Sequence, residues 1–409
     1  MKNPTIARHG RLKKSNAFTT VAKVLAAALA VVLASGASVA AIAAYDLASS
    51  VKPGVTLVGE KTDGPMPQIG AIDGGVNLLL VGSDSRKGQD PAFGAEDETG
   101  DLNDVTMLLH ISKDHTSATV VSFPRDMFVS IPECPDPAGG TFNAMSRQKI
   151  NTTLTYGGLA CTVLTVEKLT GIDIPYAAEV QFSGVIAMSN AVGGVPVCVA
   201  EPIEDEYTNT FLSAGEHTLQ GVDALQFLRT RHGVGDGSDL TRISNQQVFL
   251  SSLVRTIKSA DTLSNPGKLY SLAKAALSNM TLSNSLQNID NMVSIAMALK
   301  GIPLEQVVFV QYPTGSTEGG VLPREADARA LFTALSADQP IRLSGDTGGG
   351  STADPNAVVS PVDAVVDPNA TPDPNATAVP PTTTVLPETV KGQTAGQYTC
   401  SNGRTLQNQ

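Results

Sequence analysis

The longest apolar run lies near the N-terminus, where Val24 to Ala44 reads VLAAALAVVLASGASVAAIAA, interrupted only by Ser35, Gly36 and Ser38. A helix of that length reaches about 31 Å, one hydrocarbon thickness, so the pattern predicts a membrane-spanning helix. The alternative is a cleaved signal peptide, for which Ala37-Ser38-Val39-Ala40 supplies small residues. Beyond it the apolar runs are short and punctuated. Val76–Val81 (VNLLLV), stopped by Gly82, predicts a strand buried on both faces. Val105–Ile111 and Ala118–Phe123 predict two more, joined by the polar turn Ser112–Ser117. Helical spacing follows in Cys161–Leu169, Ser183–Val192 and Val222–Leu228, and Gly193-Gly194 leads into a short strand, Val195–Val199. Over Leu240–Ile257 the residues Ile243, Phe249, Leu250, Leu253, Val254 and Ile257 form an inward stripe, with Asp239 as the expected N-cap. Strands and helices interleave, which predicts an α/β fold: a mixed central β-sheet sandwiched by helices, α-β-α.

Composition divides the 409 residues into segments. Hydrophobic residues make up 42% and charged residues 16%, enough for a real core. Residues 1–23 carry Lys2, Arg8, Arg11, Lys13, Lys14 and Lys23 with no acid. By the positive-inside rule this basic segment is cytoplasmic, 24–44 crosses the cell membrane once, and the rest is extracellular. Residues 45–70 read as a polar stalk, and 71–343 as one globular domain. Residues 344–409, rich in Pro, Thr and Ala and repeating Asp-Pro-Asn-Ala at Asp354, Asp367 and Asp373, read as a disordered tail. The net charge of -11, the pI near 4.9 and the absence of Trp argue against a nucleic-acid partner. Cys134, Cys161, Cys198 and Cys400 show no CxxC or Cys/His metal spacing. In an oxidising compartment they predict one or two disulfides, with the connectivity left open.

Charged residues collect where strands end and helices begin. Gly82-Ser83-Asp84-Ser85-Arg86 follows the first strand, Asp104 opens the second, and Pro124-Arg125-Asp126 follows the third. Lys149, Arg229, Arg231, Asp239, Arg242 and Gln246 come later. Ligands of α/β sheets bind at such strand ends. Arginine forks bind phosphate oxygens in pairs, and carboxylates beside them would repel a phosphate unless a divalent cation lay between. Mg²⁺ or Mn²⁺ on Asp84 and Asp104, with a pyrophosphate or phosphodiester on the arginines, satisfies both. A P-loop and a G-x-G-x-x-G are both missing. Each element also has a plainer reading. Asp84 can be an N-cap, Pro124-Arg125-Asp126 a turn with a surface ion pair, Lys149 a helix-start lysine and His232 a structural residue; Arg229 and Arg231 can complement a helix C-terminus.

The order of these motifs decides between the readings. Asn77-Leu-Leu-Leu-Val-Gly-Ser-Asp-Ser-Arg86, Asp104-Val-Thr-Met-Leu and Ser122-Phe-Pro-Arg-Asp126 resemble the LytR-CpsA-Psr family in its actinobacterial form. The resemblance continues through Lys149-Ile-Asn151, Gly193-Gly-Val195, Gly221-Val-Asp-Ala-Leu225, Arg229-Thr-Arg231 and Gly237 to Gln247, covering roughly 76–257. It implies an enzyme that moves a glycopolymer from a polyprenyl-pyrophosphate carrier at the cytoplasmic membrane onto peptidoglycan. It also implies that Asp84 and Asp104 bind the metal, and that Arg86, Arg125, Lys149, Arg229, Arg231, Arg242 and Gln246 bind the pyrophosphate. Arg125, Asp126 and Asp239 are the expected catalytic group, and the apolar residues of the helices after Lys149 and Leu240 can either wall a prenyl groove or pack as core. Many members carry an Arg two residues before the second metal aspartate, where this chain has Leu102. The rival functions are a lipid-pyrophosphate hydrolase and a non-catalytic envelope regulator or scaffold.

Overall fold

The structure is a computed structural model that describes residues 17–60, 74–89, 93, 101–259, 265–354 and 383–409. It divides into two units, Met1–Ser50 and Val51–Gln409. In the first, α1 (Ala17–Ser49) is one helix of 33 residues, long and apolar enough to cross a membrane. It extends the predicted span at both ends. Ser38, a polar interruption, donates its hydroxyl to the Ala34 carbonyl at 2.8 Å, so the helix satisfies that group itself. Lys2, Arg8, Arg11, Lys13 and Lys14 lie outside the described residues.

In the second unit the apolar runs form β1 (Val76–Ser83), β2 (Asn103–Ile111) and β3 (Ala118–Phe123), the antiparallel centre of a seven-stranded sheet. Tyr176–Val180 lies parallel to β1 and Val307–Gln311 parallel to β3. Met280–Leu282 and Gly392–Thr394 are the antiparallel edges. The sheet is mixed, as expected. Its directions have a functional consequence: β1, β3 and both parallel strands end on the edge where β2 begins. Loops carrying Asp84, Asp104 and Arg125 therefore converge there.

One face of the sheet packs Leu79, Val81, Leu108, Val121 and Phe123 against α2 (Thr153–Thr170) and the helix Glu325–Ser336. In α2 the backbone kinks at Gly157, where a Cβ would stand 2.7 Å from the Pro135 carbonyl oxygen and 2.9 Å from the Cys161 Cβ. Beyond the kink α2 continues through the predicted 161–169 stretch, and α3 (Phe182–Val192) realises the next one. α4 (Val222–Arg229) and α5 (Asp239–Lys258) follow.

α5 sits between the central sheet and a second, four-stranded sheet. Gln311 of the first donates to Ser244 at 2.7 Å, and Ser401 of the second bonds Asn245. Two expectations for α5 change. The N-cap is Ser238, whose side chain accepts from the Thr241 amide, and Asp239 is the first helical residue. The inward face is also mixed. Ile243, Val248 and Phe249 are buried, but so are Ser244, Asn245, Gln246, Gln247, Ser251 and Ser252, while Leu250, Leu253, Val254 and Ile257 are half-buried. The side chains of Ser244, Asn245, Gln246, Ser251 and Ser252 are bonded by distant chain segments that local periodicity does not reveal.

Much of that bonding comes from the region read as a disordered tail. Residues 344–354 and 383–409 are folded: Ser351–Ala353 and Thr399–Ser401 belong to the second sheet, and Gly392–Thr394 to the first. Leu386, Val390, Ala395 and Cys400 are buried, apolar positions that the average composition of the segment conceals. The repeats at Asp367 and Asp373 lie outside the described residues. The predicted stalk is likewise shorter: Val55 bridges to Ser283 and Leu57 is buried, while 61–73 lie outside the described residues. The cysteines pair as Cys134–Cys161 and Cys198–Cys400. The first pair ties the middle of α2, just past its kink, to the short strand Cys134–Pro135.

After α4 the chain turns around Asp205, which is fully buried. Its carboxylate accepts from the Thr230 hydroxyl at 2.7 Å and from the amides of Tyr207, Arg231 and His232 at 3.0–3.2 Å. Burial alone would raise its pKa, but the Thr230 bond and the backbone N–H groups hold it below the ordinary value of 3.8. Asp205→Asn replaces an acceptor facing several donors with a group carrying its own donor, at a cost of about 2–3 kcal/mol in urea unfolding. A depressed folded-state pKa stabilises fully above the unfolded value and is lost as pH falls through the lower one. The variant should therefore show a shallower stability loss below pH 3.8 than the parent. Replacing Cys134 and Cys161 together by Ser, which opens a 27-residue separation, should cost about 3 kcal/mol in the same assay.

Candidate active site at the carboxyl edge of the central sheet

Asp84, the residue after β1, is pinned from both sides by Leu102. Its amide donates to the Leu102 carbonyl at 3.0 Å and its carboxylate accepts from the Leu102 amide at 2.8 Å. On the Leu102 side these contacts use only backbone groups, so they do not depend on the identity of its side chain. Asp104, near the start of β2, takes an ion pair from Arg125, which follows β3. The Arg125 amide donates to Asp239 at 2.9 Å. Arg242, one turn along α5, pairs with the other Asp239 oxygen at 2.6 Å and donates to the Asp104 carbonyl at 2.6 Å. Two strands and a helix are thus joined through four side chains.

A second group adjoins it. Lys149, at the end of the strand Met145–Lys149, bonds Asp126 at 2.8 Å; Arg231 and Arg125 stand 3.7 and 3.9 Å from its other oxygen. Arg229 lies over the Phe182 ring at 4.3 Å and feels the charges of Asp84, Asp104, Arg86 and Arg242. All the predicted charged residues therefore share one site. Gln246 is buried in α5, and its amide nitrogen donates to the Leu228 carbonyl at 3.0 Å, anchoring the end of α4 beside Arg229. His232 stacks on Tyr207 with ring centroids 4.5 Å apart, the structural role expected for it.

Six cations, Arg86, Arg125, Lys149, Arg229, Arg231 and Arg242, face four carboxylates, Asp84, Asp104, Asp126 and Asp239, leaving two positive charges in surplus within a chain of -11. Burial raises the Asp84 carboxyl, and the Asp104 charge adds to the rise against the opposing Leu102 amide. Burial would raise Asp126 too, but its bond to Lys149 and the charges of Arg125 and Arg231 take it lower. Burial lowers Arg229, and its like-charged neighbours Arg86 and Arg242 contribute. Arg125 is pulled down by burial and carried above its ordinary value by Asp104. Among the described residues the buried Nε atoms of Arg125 and Arg242 have no hydrogen-bond acceptor. Such donors suit an incoming anion.

For a metal, Asp84 and Asp104 offer hard oxygen ligands at this edge. Among the described residues the tight trio Cys198, Asp354 and Cys400 is excluded as a metal site, because both sulfurs are in a disulfide. Of the apolar residues in the helices after Lys149 and Leu240, Leu154, Leu159, Val163 and Ile243 are buried in the core. An open cleft of about 720 Å3 lies between the end of α2 and the helix Glu325–Ser336, over Tyr312 and Phe332. Sequence reasoning did not find Asp205, nor Asn103, which is fully buried and links Thr106 to Thr153 at the start of α2. Neither sits in a motif, and the partners Thr153, Thr230, Arg231 and His232 are tens of residues away.

A profile described as the LytR_cpsA_psr family matches residues 47–334. The chain is 31% identical over 273 residues to the Corynebacterium glutamicum protein named cell wall biosynthesis protein LcpA, covering 61% of this chain and 52% of that one. The match thus spans about half the length of that relative. It is 27% identical over 319 residues to the Bacillus subtilis (strain 168) protein named polyisoprenyl-teichoic acid–peptidoglycan teichoic acid transferase TagT, covering 75% and 92%. The solved structure of the LytR-Csp2A-Psr enzyme from Actinomyces oris agrees in fold, with a TM-score of 0.50 at 23% identity over 70% of this chain and 96% of that one. With motif order, sheet topology and most of its length in agreement, the chain belongs to the LytR_cpsA_psr family.

Proposed function

We propose that this protein is a phosphotransferase that moves a glycopolymer from a polyprenyl-pyrophosphate carrier onto peptidoglycan. The observation that carries this reading is the surplus of partly buried guanidinium groups at one sheet edge of an anionic chain. The printed names of the C. glutamicum and B. subtilis relatives, a cell wall biosynthesis protein and a polyisoprenyl-linked transferase, support it. We place residues 1–23 in the cytoplasm and the second unit outside, which the basic N-terminal segment and two disulfides support.

In this reading a peptidoglycan hydroxyl attacks the sugar-side phosphorus, forming a phosphodiester as the bond to polyprenyl phosphate breaks. Arg125 and Arg229 hold the pyrophosphate oxygens, and Arg231 and Lys149 extend the positive field on the far side of Asp126. Asp126, held low by its cations, is a poor proton acceptor and serves to fix them. Burial and the neighbouring Asp104 charge raise Asp84, and the hard carboxylate oxygens of Asp84 and Asp104 would suit a divalent cation. Mg²⁺ or Mn²⁺ held there would neutralise phosphate charge.

Incubating the full-length protein with lipid-linked polymer and peptidoglycan fragments should yield polymer covalently attached to the glycan. Release of free phosphorylated polymer alone, with and without fragments, would establish hydrolysis instead. Arg125→Ala should reduce transfer by about 100-fold or more, and intact complementation of a deletion strain by this variant would favour a scaffold. Asp84→Asn should abolish the heat of Mg²⁺ or Mn²⁺ titration seen with the parent protein.

A further inference from the structure

Arg231 stands on the loop His232-Gly-Val-Gly-Asp-Gly237, in which three of six residues are glycine. Gly235 and Gly237 have φ of +49° and +80°. A loop of this composition loses much conformational entropy when ordered and has few side chains with which to hold itself. Yet its geometry bears on the site, because the Arg231 Nε donates to the Gly237 carbonyl at 3.0 Å while its Nη2 reaches toward Asp126. Gly237 in turn donates its amide to Val234 at 3.0 Å.

Asp205 holds the start of the loop through the Arg231 and His232 amides, and the Thr241 hydroxyl donates to the Val234 carbonyl and to Asp236. A further set of bonds to its centre comes from the far end of the chain. The Arg404 amide donates to the Gly233 carbonyl at 2.7 Å, the Gly235 amide donates to Asn402 at 2.9 Å, and Gly403 bridges Val234, which is fully buried. On its other side the same segment is fastened by amides of Ala200 to Ser401 at 2.8 Å and of Glu204 to Arg404 at 3.1 Å. Gly403 permits this double contact, since a Cβ there would run into the carbonyl oxygens of Glu201 and Pro202. The segment lies outside the family match at 47–334.

We propose that Asn402-Gly403-Arg404 is a positioning element that locks the glycine loop and so aims Arg231 at the pyrophosphate. The proposal rests on the transferase reading for its ligand, whereas the locking itself does not depend on it. Two variants of the full-length chain test it: Gly403→Ala, and a stop after Ser401 that retains Cys400. Hydrogen exchange should accelerate over 231–238 and stay unchanged over β1, β2 and β3. Titration with inorganic pyrophosphate should show about tenfold weaker binding, the loss of one charged hydrogen bond. In an Arg231→Ala background neither variant should weaken binding further. Unchanged exchange over 231–238 in both variants would overturn the proposal. So would exchange that rises throughout the domain in both, or an equal loss of affinity without Arg231, since each would make the segment a general staple. If the parent protein itself binds no pyrophosphate, the transferase reading fails and the exchange result alone decides the locking.

Discussion

Charge taken out of water must be met by opposite charge or by hydrogen bonds, and at the edge of this sheet that requirement organises the molecule. Arg125 and Arg242 share Asp104 and Asp239 among their side chains and backbone groups. The exchange fastens the start of α5 to the paired strands β2 and β3 at the edge where the loops converge. Removing one member would strand another in a poorly solvated place, so the four hold one another in position.

The network has a polarity as well as a rigidity. Its carboxylates neutralise most of the guanidinium charge but not all of it, and the uncompensated part points to where the loops converge. An anionic chain of this kind attracts no polyanion in general. It accepts one where cations are fixed and partly dehydrated, so that phosphate contacts need little reorganisation when a substrate arrives.

The region beyond the family match completes the architecture. It adds an edge strand to the central sheet, a parallel neighbour to Val195–Val199, and polar partners for the buried hydrophilic face of α5. Gln393, for example, is fully buried and donates to the Gln247 carbonyl and the Ser251 hydroxyl, each at 2.8 Å. Cys198–Cys400 ties residues 202 positions apart into the same sheet.

Local chemistry determined the apolar helix, the three central strands, α2 to α5 and the kinds of residue at the site, because period, charge and turn residues act within a few positions. The motif order was sufficient to bring Asp84, Asp104, Arg125 and Arg231 together. Gln246 and Asp239 show the limit. A glutamine amide that holds a neighbouring helix end and one that meets a ligand are identical in sequence, and so are an aspartate that caps a helix and one that accepts from a distant amide. Asp205, the two disulfide pairings and the folding of 383–409 were decided only by tertiary structure. Each depends on which backbone donors, sulfurs or exposed strand edges lie nearby once the chain has closed, and average composition carries no record of that proximity.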